Sequence, residues 1–220
     1  MITIHHLERS RSHRIIWLCE ELGATYTVKR YARDAKTNLA PAALRAVHPV
    51  GKSPVIDDDG VVVAETGAIT DYLVEKFDGG LVPASGTSDY RMYRYWLHAA
   101  EGSFAPMMVM LLLMTRMQEA APFFAKPIAK RLTQGLRDGY LDHTTKALYD
   151  YAEATLGETR WLAGENFSAA DVVMSFPFQG FALRGDIAGY PNIAGFLKRI
   201  EERPAYARAL EKGGENTLLG

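Results

Sequence analysis

The first 31 residues carry a strand–helix–strand pattern, and this pattern limits the folds that the chain can adopt. Residues 1–7 (MITIHHL) alternate apolar and polar side chains, which is typical of a strand, and residues 25–31 (TYTVKRY) are strand-like again. Between them we predict a helix from about Ser12 to Gly23, with apolar residues at helical spacing: Ile15, Leu18, Cys19 and Leu22. Two strands joined by such a crossover run parallel, so we predict an α/β sheet at this end.

A hairpin and a long helical part complete the predicted organisation. Residues 53–65 (SPVIDDDGVVVAE) hold two β-branched runs around Asp-Asp-Asp-Gly, a hairpin signal, and Thr66 is placed to cap the next helix. The later pattern is helical, with interruptions expected at Pro106, Pro122, Pro127, Gly157, Pro191 and Pro204. We therefore predict a thioredoxin-like domain over residues 1–78, a Gly/Ser/Pro-rich linker over 79–88, and an all-helical bundle over 89–220.

Charge and cysteine content exclude several classes of function. The 220 residues carry a net charge of −1, which gives no global attraction for nucleic acid or for acidic membranes. A single cysteine, Cys19, forms no intrachain disulfide and favours a reducing compartment. No export signal is recognisable in MITIHHLERS, and the apolar run Pro106–Met114 is too short to span a membrane. We expect a cytoplasmic protein with neither nucleic acid nor membrane as partner, in which that run is a buried helix segment or a pocket wall.

The segment LERSRSHRIIW, residues 7–17, places two serines among three arginines between a strand and a helix. A helix that begins near Ser12 or His13 makes Ser12 its N-cap, with the hydroxyl accepting a backbone N–H. Ser10 then lies in the preceding loop, where its O–H can face a ligand above the positive end of the helix. Metal chemistry is not indicated, because His5 and His6 alternate along a strand and point to opposite faces.

Four segments in order give the chain a resemblance to a known family. HHLERSRSHRIIWLCEELGATYTV, HPVGKSPVI, AETGAI and FSAADVVMSFP resemble motifs of the cytosolic glutathione S-transferases, in particular of the bacterial and fungal branch with an SRS-type first helix. The resemblance covers essentially the whole chain. It implies a thioredoxin-like domain followed by a helical bundle, a homodimer, and glutathione as co-substrate without a metal.

The resemblance gives Ser10 the role of activating the glutathione sulfur, since Ser10 stands four residues before Arg14. A free thiol has a pKa of about 8.5, and a hydroxyl that donates a hydrogen bond to sulfur favours the anion. Ser12 is the alternative catalytic serine. The remaining hypothesis is that both serines have purely structural roles, as loop and cap residues.

The other glutathione-binding residues implied by the resemblance lie in two short motifs. Pro54 is expected to be cis and to turn the backbone of Ser53 toward the cysteinyl part of glutathione, while Lys52 meets the glycyl carboxylate. Glu65 is expected to pair with the γ-glutamyl ammonium, and Thr66 to offer its hydroxyl and N–H to the γ-glutamyl carboxylate. For Lys52 and Thr66 the alternatives are a solvated lysine and a simple helix cap.

The hydrophobic electrophile is expected against the first long helical segment of the second domain. The resemblance makes Met107, Met108 and Met110 candidate pocket residues, although ordinary core positions explain each methionine equally well. Ser168 and Asp171 form a predicted capping box with a folding role. The sequence thus predicts a glutathione transferase. The alternatives are a glutathione-dependent peroxidase, isomerase or dehalogenase, and a non-enzymatic protein that binds glutathione or hydrophobic ligands.

Overall fold

A four-stranded mixed sheet forms the core of the N-terminal part in the computed structural model, which describes residues 1–183 and 186–214. Its strands are β1 (Ile2–Leu7), β2 (Tyr26–Tyr31), β3 (Val55–Asp58) and β4 (Val61–Ala64), in the order β2-β1-β3-β4. β1 and β2 are parallel, with Ile2 opposite Tyr26, whereas β3 lies antiparallel to both β1 and β4. The predicted strand–helix–strand unit and the added hairpin are therefore confirmed.

Local sequence explains where these elements turn. The β3–β4 hairpin reverses at Asp59 and Gly60, whose φ values of 50° and 94° suit the turn that Asp-Gly favours. The helices of this part are α1 (His13–Glu21), α2 (Ala42–Arg45) and α3 (Thr66–Phe77). Gly23 follows α1 with a φ of 63°, as a glycine beyond a helix C-terminus does. Thr66 is the first residue of α3 and not its cap, because Glu65 occupies the capping position.

The second part is helical over the residues that the structure describes. Its α-helices are α4 (Ser88–Ala99), α5 (Ala105–Ala120), α6 (Lys126–Leu136), α7 (Asp142–Glu158), α8 (Ala169–Ala182), α9 (Pro191–Glu201) and α10 (Pro204–Gly213). Pro191 and Pro204 begin their helices, where the missing N–H costs nothing. The segment between α3 and α4 is irregular, but Leu81 is buried in the core and its carbonyl accepts a hydrogen bond from the Ala169 N–H.

A single hydrophobic core joins the two parts. Trp17 from α1, Trp96 from α4 and Phe178 from α8 belong to the same buried cluster and are fully inaccessible to water. Helix α1 packs against α8 and α10, so the second part covers one face of the sheet domain. The predicted fold, a thioredoxin-like domain followed by a helical bundle, is observed with an extensive interface between the two.

Helices α4 and α5 form one continuous 33-residue helix, contrary to the predicted interruption at Pro106. A wide π turn over Ala100–Phe104 joins them, in which the Ala105 N–H bonds to the Ala100 carbonyl, five residues back. The Pro106 ring is accommodated directly after this turn, at the second position of α5.

Length and composition alone would allow the helix Ser88–Ala120 to cross a membrane, although one such helix is also common in the core of globular proteins. Apolar side chains of α5 are substantially exposed, with Leu112 42% and Leu113 61% accessible. Two roles are predicted for the run Pro106–Met114, a buried helix segment and a pocket wall, and the first of them is therefore wrong.

Candidate active site

A cleft of about 430 Å³ lies between the sheet domain and α5. One side is polar and comes from the β1–α1 loop, the segment after β2 and the loop before β3, with Ser10, Arg9, Arg11, Arg33, Lys52 and Ser53. The opposite side is apolar and comes mainly from α5 and α8, with Ala105, Met108, Val109, Leu112 and Phe176. A ligand in this cleft therefore meets a charged, hydrogen-bonding surface on one side and hydrocarbon on the other.

Ser10 lines the cleft at the junction of these two sides. Its Oγ lies 2.7 Å from Ser12 Oγ and 3.2 Å from Ser53 Oγ, and it accepts a 3.3 Å hydrogen bond from the Ser12 N–H. The Ser53 hydroxyl in turn donates to the His5 backbone carbonyl at 3.3 Å. Ser10 is only half-buried, so its hydroxyl is both positioned by the protein and accessible to a ligand.

Ser12 is at the N-cap position of α1, but its predicted capping hydrogen bond is wrong. Its backbone is already helical, with φ −66° and ψ −18°, whereas a capping side chain requires an extended backbone. The hydroxyl instead contacts Ser10 and lies 2.8 Å from His6 Nδ1. Ser12 is fully buried, so it reaches the cleft only through Ser10.

Two cations near Ser10, Arg11 and Arg14, are paired with the same carboxylate. Glu101, in the π turn, accepts hydrogen bonds from Arg11 at 2.5 Å and from Arg14 at 2.7 Å. Burial by itself raises the pKa of Glu101, but the charges of Arg14 and Arg11 outweigh it and hold this pKa below its usual value. Arg14 also donates to the Val173 carbonyl and lies over the Phe176 ring. Arg14 therefore links the two domains, and Glu101 neutralises its charge.

A recess of about 80 Å³ continues the cleft toward the start of α3. It shares Arg11, Lys52 and Ser53 with the main cleft, and the structure brings all five predicted glutathione-binding residues together on its walls: Lys52, Ser53, Pro54, Glu65 and Thr66. The Ser53–Pro54 peptide bond is cis, as the resemblance implies.

Glu65 and Thr66 differ in what they can offer a ligand. The Glu65 side chain is exposed, and its φ of 75° and ψ of 133° are unusual for any residue with a side chain. Thr66 is buried, and its hydroxyl hydrogen-bonds to the carboxylate of Glu101. The Thr66 hydroxyl thus already has an acidic partner, whereas its N–H lies at the N-terminus of α3.

The three candidate methionines lie in three different places. Met108 lines the cleft beside Ser10. Met107 is nearly buried and lines a second cavity with Tyr149 and Phe181, although Met108 also reaches that cavity. Met110 lies in an apolar groove formed by α5 and the end of α6. Of the three, Met108 is therefore the one that the structure brings to the candidate site.

Sequence reasoning missed several residues of the apolar wall. Val109, Leu112 and Phe176 line the cleft with Met108. The spacing of residues 105, 108, 109 and 112 fits one helical face, but the run is apolar on all sides, so periodicity could not select that face. Phe176 lies within FSAADVVMSFP, in which the sequence assigns a role only to the capping box of Ser168 and Asp171.

Cys19 and metal ligands offer no alternative centre in the part of the chain that the structure describes. Burial raises the pKa of the Cys19 thiol to about 12, so this side chain behaves as a small hydrophobic residue. Within residues 1–183 and 186–214, no three histidine, cysteine or acidic side chains are grouped closely enough to hold a metal ion.

Comparison with known proteins identifies the family. The models of the glutathione S-transferase N-terminal and C-terminal domains match residues 1–75 and 112–204. Glutathione S-transferase 3 of Schizosaccharomyces pombe is 35% identical, over 99% of this chain and 90% of its own length. Glutathione S-transferase 1 of Saccharomyces cerevisiae is 30% identical, over 96% of this chain and 95% of its own.

The architecture agrees with these matches. A crystal structure of a glutathione S-transferase from Actinobacillus pleuropneumoniae superposes with a TM-score of 0.81 at 35% identity, covering 99% of this chain and 95% of that one. With both domain models, full-length relatives and a shared fold in agreement, the chain belongs to the glutathione S-transferase family and is a glutathione transferase, as its motifs predict.

Proposed function

We propose that the cleft binds glutathione with its sulfur beside Ser10 and that the resulting thiolate attacks a hydrophobic electrophile held against α5. One observation carries this assignment. The accessible Ser10 hydroxyl lies where the polar recess, suited to a charged peptide, meets the apolar wall, suited to the second substrate. A reaction between a polar thiol and an apolar electrophile needs both surfaces within reach of one point.

The recess suits the three parts of glutathione. The exposed Glu65 carboxylate can pair with the γ-glutamyl ammonium, and the Thr66 N–H at the start of α3 can bind the γ-glutamyl carboxylate. The Ser53 backbone is available to the cysteinyl unit in the manner of an added strand, and the Lys52 ammonium to the glycyl carboxylate. Since the Thr66 hydroxyl already bonds to Glu101, we assign the carboxylate to the N–H alone.

Activation of the sulfur requires a modest free energy. Lowering a thiol pKa by two units corresponds to about 2.7 kcal/mol. The Ser10 O–H and the positive N-terminal end of α1 both favour an anion at this position, and each charge-assisted interaction contributes about 1 kcal/mol or more. The protein thus supplies position and charge, while the nucleophile belongs to the substrate.

The test of this proposal is the Ser10→Ala variant. We expect the pKa of bound glutathione to rise and turnover of a generic aryl halide to fall roughly tenfold to a thousandfold, the range for loss of a donor to developing charge. The thiolate absorbance of the enzyme–glutathione complex against pH gives the first quantity, and steady-state kinetics give the second. Ser88→Ala removes an exposed serine far from the cleft and is the matched control. An unchanged titration and unchanged turnover in Ser10→Ala would overturn the role of Ser10.

The same assays separate the alternative activities. A peroxidase, isomerase or dehalogenase would form the thiolate normally but would turn over a peroxide, an isomerisable substrate or an alkyl halide in place of the aryl halide. A non-enzymatic binder would bind glutathione and turn over none of these compounds. The apolar wall of Met108, Val109 and Leu112 favours the hydrophobic electrophile.

We also propose that the protein acts as a homodimer in the cytoplasm, where it detoxifies electrophiles. The support is exposed apolar surface on α5, on α6 and on the loop between them, where these side chains are each more than 60% accessible: Leu113, Phe123, Phe124, Ile128 and Leu132. Monomeric proteins seldom leave large apolar patches in water. Light scattering at micromolar concentration is expected to give twice the chain mass of 24.4 kDa, and a monomer mass would contradict the dimer.

A further inference from the structure

A chain of hydrogen bonds leads from the cleft into the buried interior, and the mechanism above uses only its first member. Ser10 Oγ lies 2.7 Å from Ser12 Oγ, which lies 2.8 Å from Nδ1 of His6. Ser12 is fully buried and His6 is 7% exposed. The imidazole is thus connected to the cleft through two hydroxyl groups and is itself almost shielded from water.

The direction of these hydrogen bonds follows from the other side of the imidazole ring. Besides its contact with Ser12, the His6 ring hydrogen-bonds to the Gly213 backbone at the end of α10. A backbone carbonyl only accepts, so Nε2 carries the proton and Nδ1 is left as an acceptor. Ser12 then donates to Nδ1, and the Ser10 proton is shared between Ser12 Oγ at 2.7 Å and Ser53 Oγ at 3.2 Å, whose own proton goes to the His5 carbonyl. In this arrangement Ser10 presents oxygen lone pairs, and not a proton, to the cleft.

The surroundings keep this accepting form populated in the free enzyme. Burial, followed by the charge of Arg30 on β2, lowers the pKa of His6, whereas the Gly213 backbone and Glu8, just after β1, oppose the shift. On α1, His13 interacts electrostatically with His6, and burial lowers the pKa of His13 to about 4. His13 therefore stays neutral, and His6 is the base at the inner end of the hydrogen-bonded chain.

We propose that Ser10, Ser12 and His6 form a proton relay that accepts the thiol proton of bound glutathione. The S–H bond breaks as its proton passes to Ser10 Oγ, the Ser10 proton passes to Ser12 Oγ, and the Ser12 proton passes to His6 Nδ1. The electron pair of the S–H bond stays on sulfur. One thiol and one neutral imidazole become one thiolate and one imidazolium, so atoms and charge balance without a further reactant.

The transfer also reverses every hydrogen bond in the direction that the thiolate needs. His6 Nδ1–H now donates to Ser12, Ser12 donates to Ser10, and Ser10 donates to sulfur. The Nε2–H group continues to donate to the Gly213 carbonyl. The competing acceptor for the Ser10 proton is Ser53 Oγ at 3.2 Å, a longer contact than the 2.7 Å to Ser12. His6 and Ser12 are positioning and proton-relay residues, and Ser10 is the member that touches substrate.

The inference rests on the proposed role of Ser10, and the deciding measurement is the protonation state of His6 with two ligands. In protein carrying isotope-labelled histidine, nuclear magnetic resonance should show His6 as the neutral Nε2–H tautomer in the free enzyme at neutral pH. Saturating glutathione should convert it to imidazolium. S-methylglutathione, which fits the same recess but carries no thiol proton, should leave it neutral. A His6 ring that stays neutral while thiolate absorbance shows ionised glutathione overturns the relay.

The matched variants are His6→Gln and His5→Gln. Glutamine at position 6 can still accept from Ser12 but cannot take up a proton, so the bound thiol pKa should rise by about one unit, which means roughly tenfold less thiolate at neutral pH. Turnover in His6→Gln should recover toward the wild-type value at alkaline pH, where hydroxide removes the thiol proton. His5 is equally buried but bonds to Tyr31, and His5→Gln should leave the thiol titration unchanged.

Each outcome separates the relay from the proposed function. If turnover of His6→Gln stays low at alkaline pH, the substitution has damaged the site in another way and the relay is overturned. If the wild-type enzyme forms no thiolate at all, the proposed function of Ser10 fails first. If Ser10→Ala abolishes the thiolate while His6→Gln leaves it intact, Ser10 keeps its role and the relay alone is rejected.

Discussion

Glu65 holds a backbone conformation that its residue type seldom adopts. With a φ of 75° and ψ of 133° it lies outside the regions open to residues with a Cβ, and such conformations cost about 1–3 kcal/mol. The residue stands between β4 and α3, where the backbone turns so that its exposed side chain reaches the recess. Strain at this point is consistent with a position retained for ligand binding and not for stability.

Glu65→Gly is therefore expected to raise the free energy of unfolding and to lower the affinity for glutathione. Glycine adopts a positive φ without strain, but it also gains conformational entropy in the unfolded state. The net effect should be a rise of about 1 kcal/mol in the free energy of unfolding. Affinity for glutathione should fall roughly tenfold, because a hydrogen bond to a charged group contributes about 1.5 kcal/mol. Urea unfolding and isothermal titration measure the two effects.

The control for this variant is Asp78→Gly. Asp78 ends α3 with a φ of 40°, at a position that glycine favours, and it does not line the recess. The Asp78→Gly variant should gain stability without losing affinity for glutathione. Unchanged glutathione affinity in Glu65→Gly would remove Glu65 from the binding site.

The serines at 10 and 12 show what a sequence can specify about single residues. Both positions stand out because hydroxyls lie among arginines at a strand–helix junction, and the sequence predicts Ser10 in the loop, facing a ligand. The partner of Ser12 could not be predicted, because His6 approaches it only once β1 and α1 are packed together. The helical backbone at Ser12, which frees its hydroxyl from capping, is likewise set by that packing.

Helix α8 depends on a capping box that is completely buried. The Asp171 carboxylate accepts from the Ser168 N–H and hydroxyl, both at 2.8 Å, and from the Leu162 N–H at 2.9 Å. It therefore fixes both the start of α8 and the preceding loop. The motif FSAAD predicted the box itself, but not the long-range bond to Leu162, which depends on how that loop folds back.

Asp171→Ala is expected to lower the free energy of unfolding by roughly 3 kcal/mol. The variant loses a helix cap, worth about 1 kcal/mol, and leaves buried N–H groups unsatisfied, at about 1–3 kcal/mol. Urea unfolding measures this loss, and glutathione affinity below the transition should stay at the wild-type value. Asp89→Ala, in the exposed first turn of α4, is the control and should cost well under half as much. Equal losses in the two variants would contradict the assigned role of the buried box.

At the scale of the whole molecule, α1 and α10 connect the two domains. Glu21 pairs with Arg203 through two hydrogen bonds of 2.6 and 2.7 Å, and Glu20 pairs with Arg208 and Lys212. Between these helices His13 is buried, close enough to Gly213 that an added Cβ there would lie 3.0 Å from the imidazole ring. The interface therefore includes an ionisable group that the folded protein keeps neutral.

Stability is consequently expected to fall as the pH is lowered from about 6.5 to about 4. In that interval the unfolded chain binds a proton at His13, whereas burial lowers the folded-state pKa to about 4, so the unfolded state binds more protons. The slope from this group approaches 1.4 kcal/mol per pH unit. His5 and His6, whose pKa values burial also lowers, act in the same direction, whereas Asp171, whose pKa burial raises to about 6, acts in the opposite direction below that pH.

Urea unfolding across this pH range tests the assignment. His13→Gln should flatten the pH dependence even if it lowers stability overall, whereas His143→Gln, at an exposed position of α7, should leave the slope unchanged. An unchanged slope in His13→Gln would show that other groups cause the acid sensitivity.

The order of strands and helices in the N-terminal part could be predicted, because strand alternation and the Asp-Gly turn are local signals. In the second part Pro191 and Pro204 do begin helices, but the breaks predicted at Pro106 and Gly157 are wrong, since both residues lie inside helices. How the domains meet could not be predicted. The residues from Pro106 to Met114 are apolar on every side, so no face was marked for the cleft, and Met107, Met108 and Met110 were chosen together although they point to three places. The packing of α5 against the sheet domain and against α8 determines which of these methionines lines the cleft.

The π turn at Ala100–Phe104 is a place where the chain can lose a residue in evolution without moving the substrate wall. Such a turn holds one residue more than an α-helical turn, and each residue rotates a helix by about 100°. The wide turn takes up that extra residue locally, so losing Gly102 would restore ordinary winding and leave Met108, Val109 and Leu112 along the cleft. A one-codon deletion would therefore change the turn that carries Glu101, the partner of Arg11 and Arg14, and a lineage could alter the charges near Ser10 while the apolar wall stayed intact.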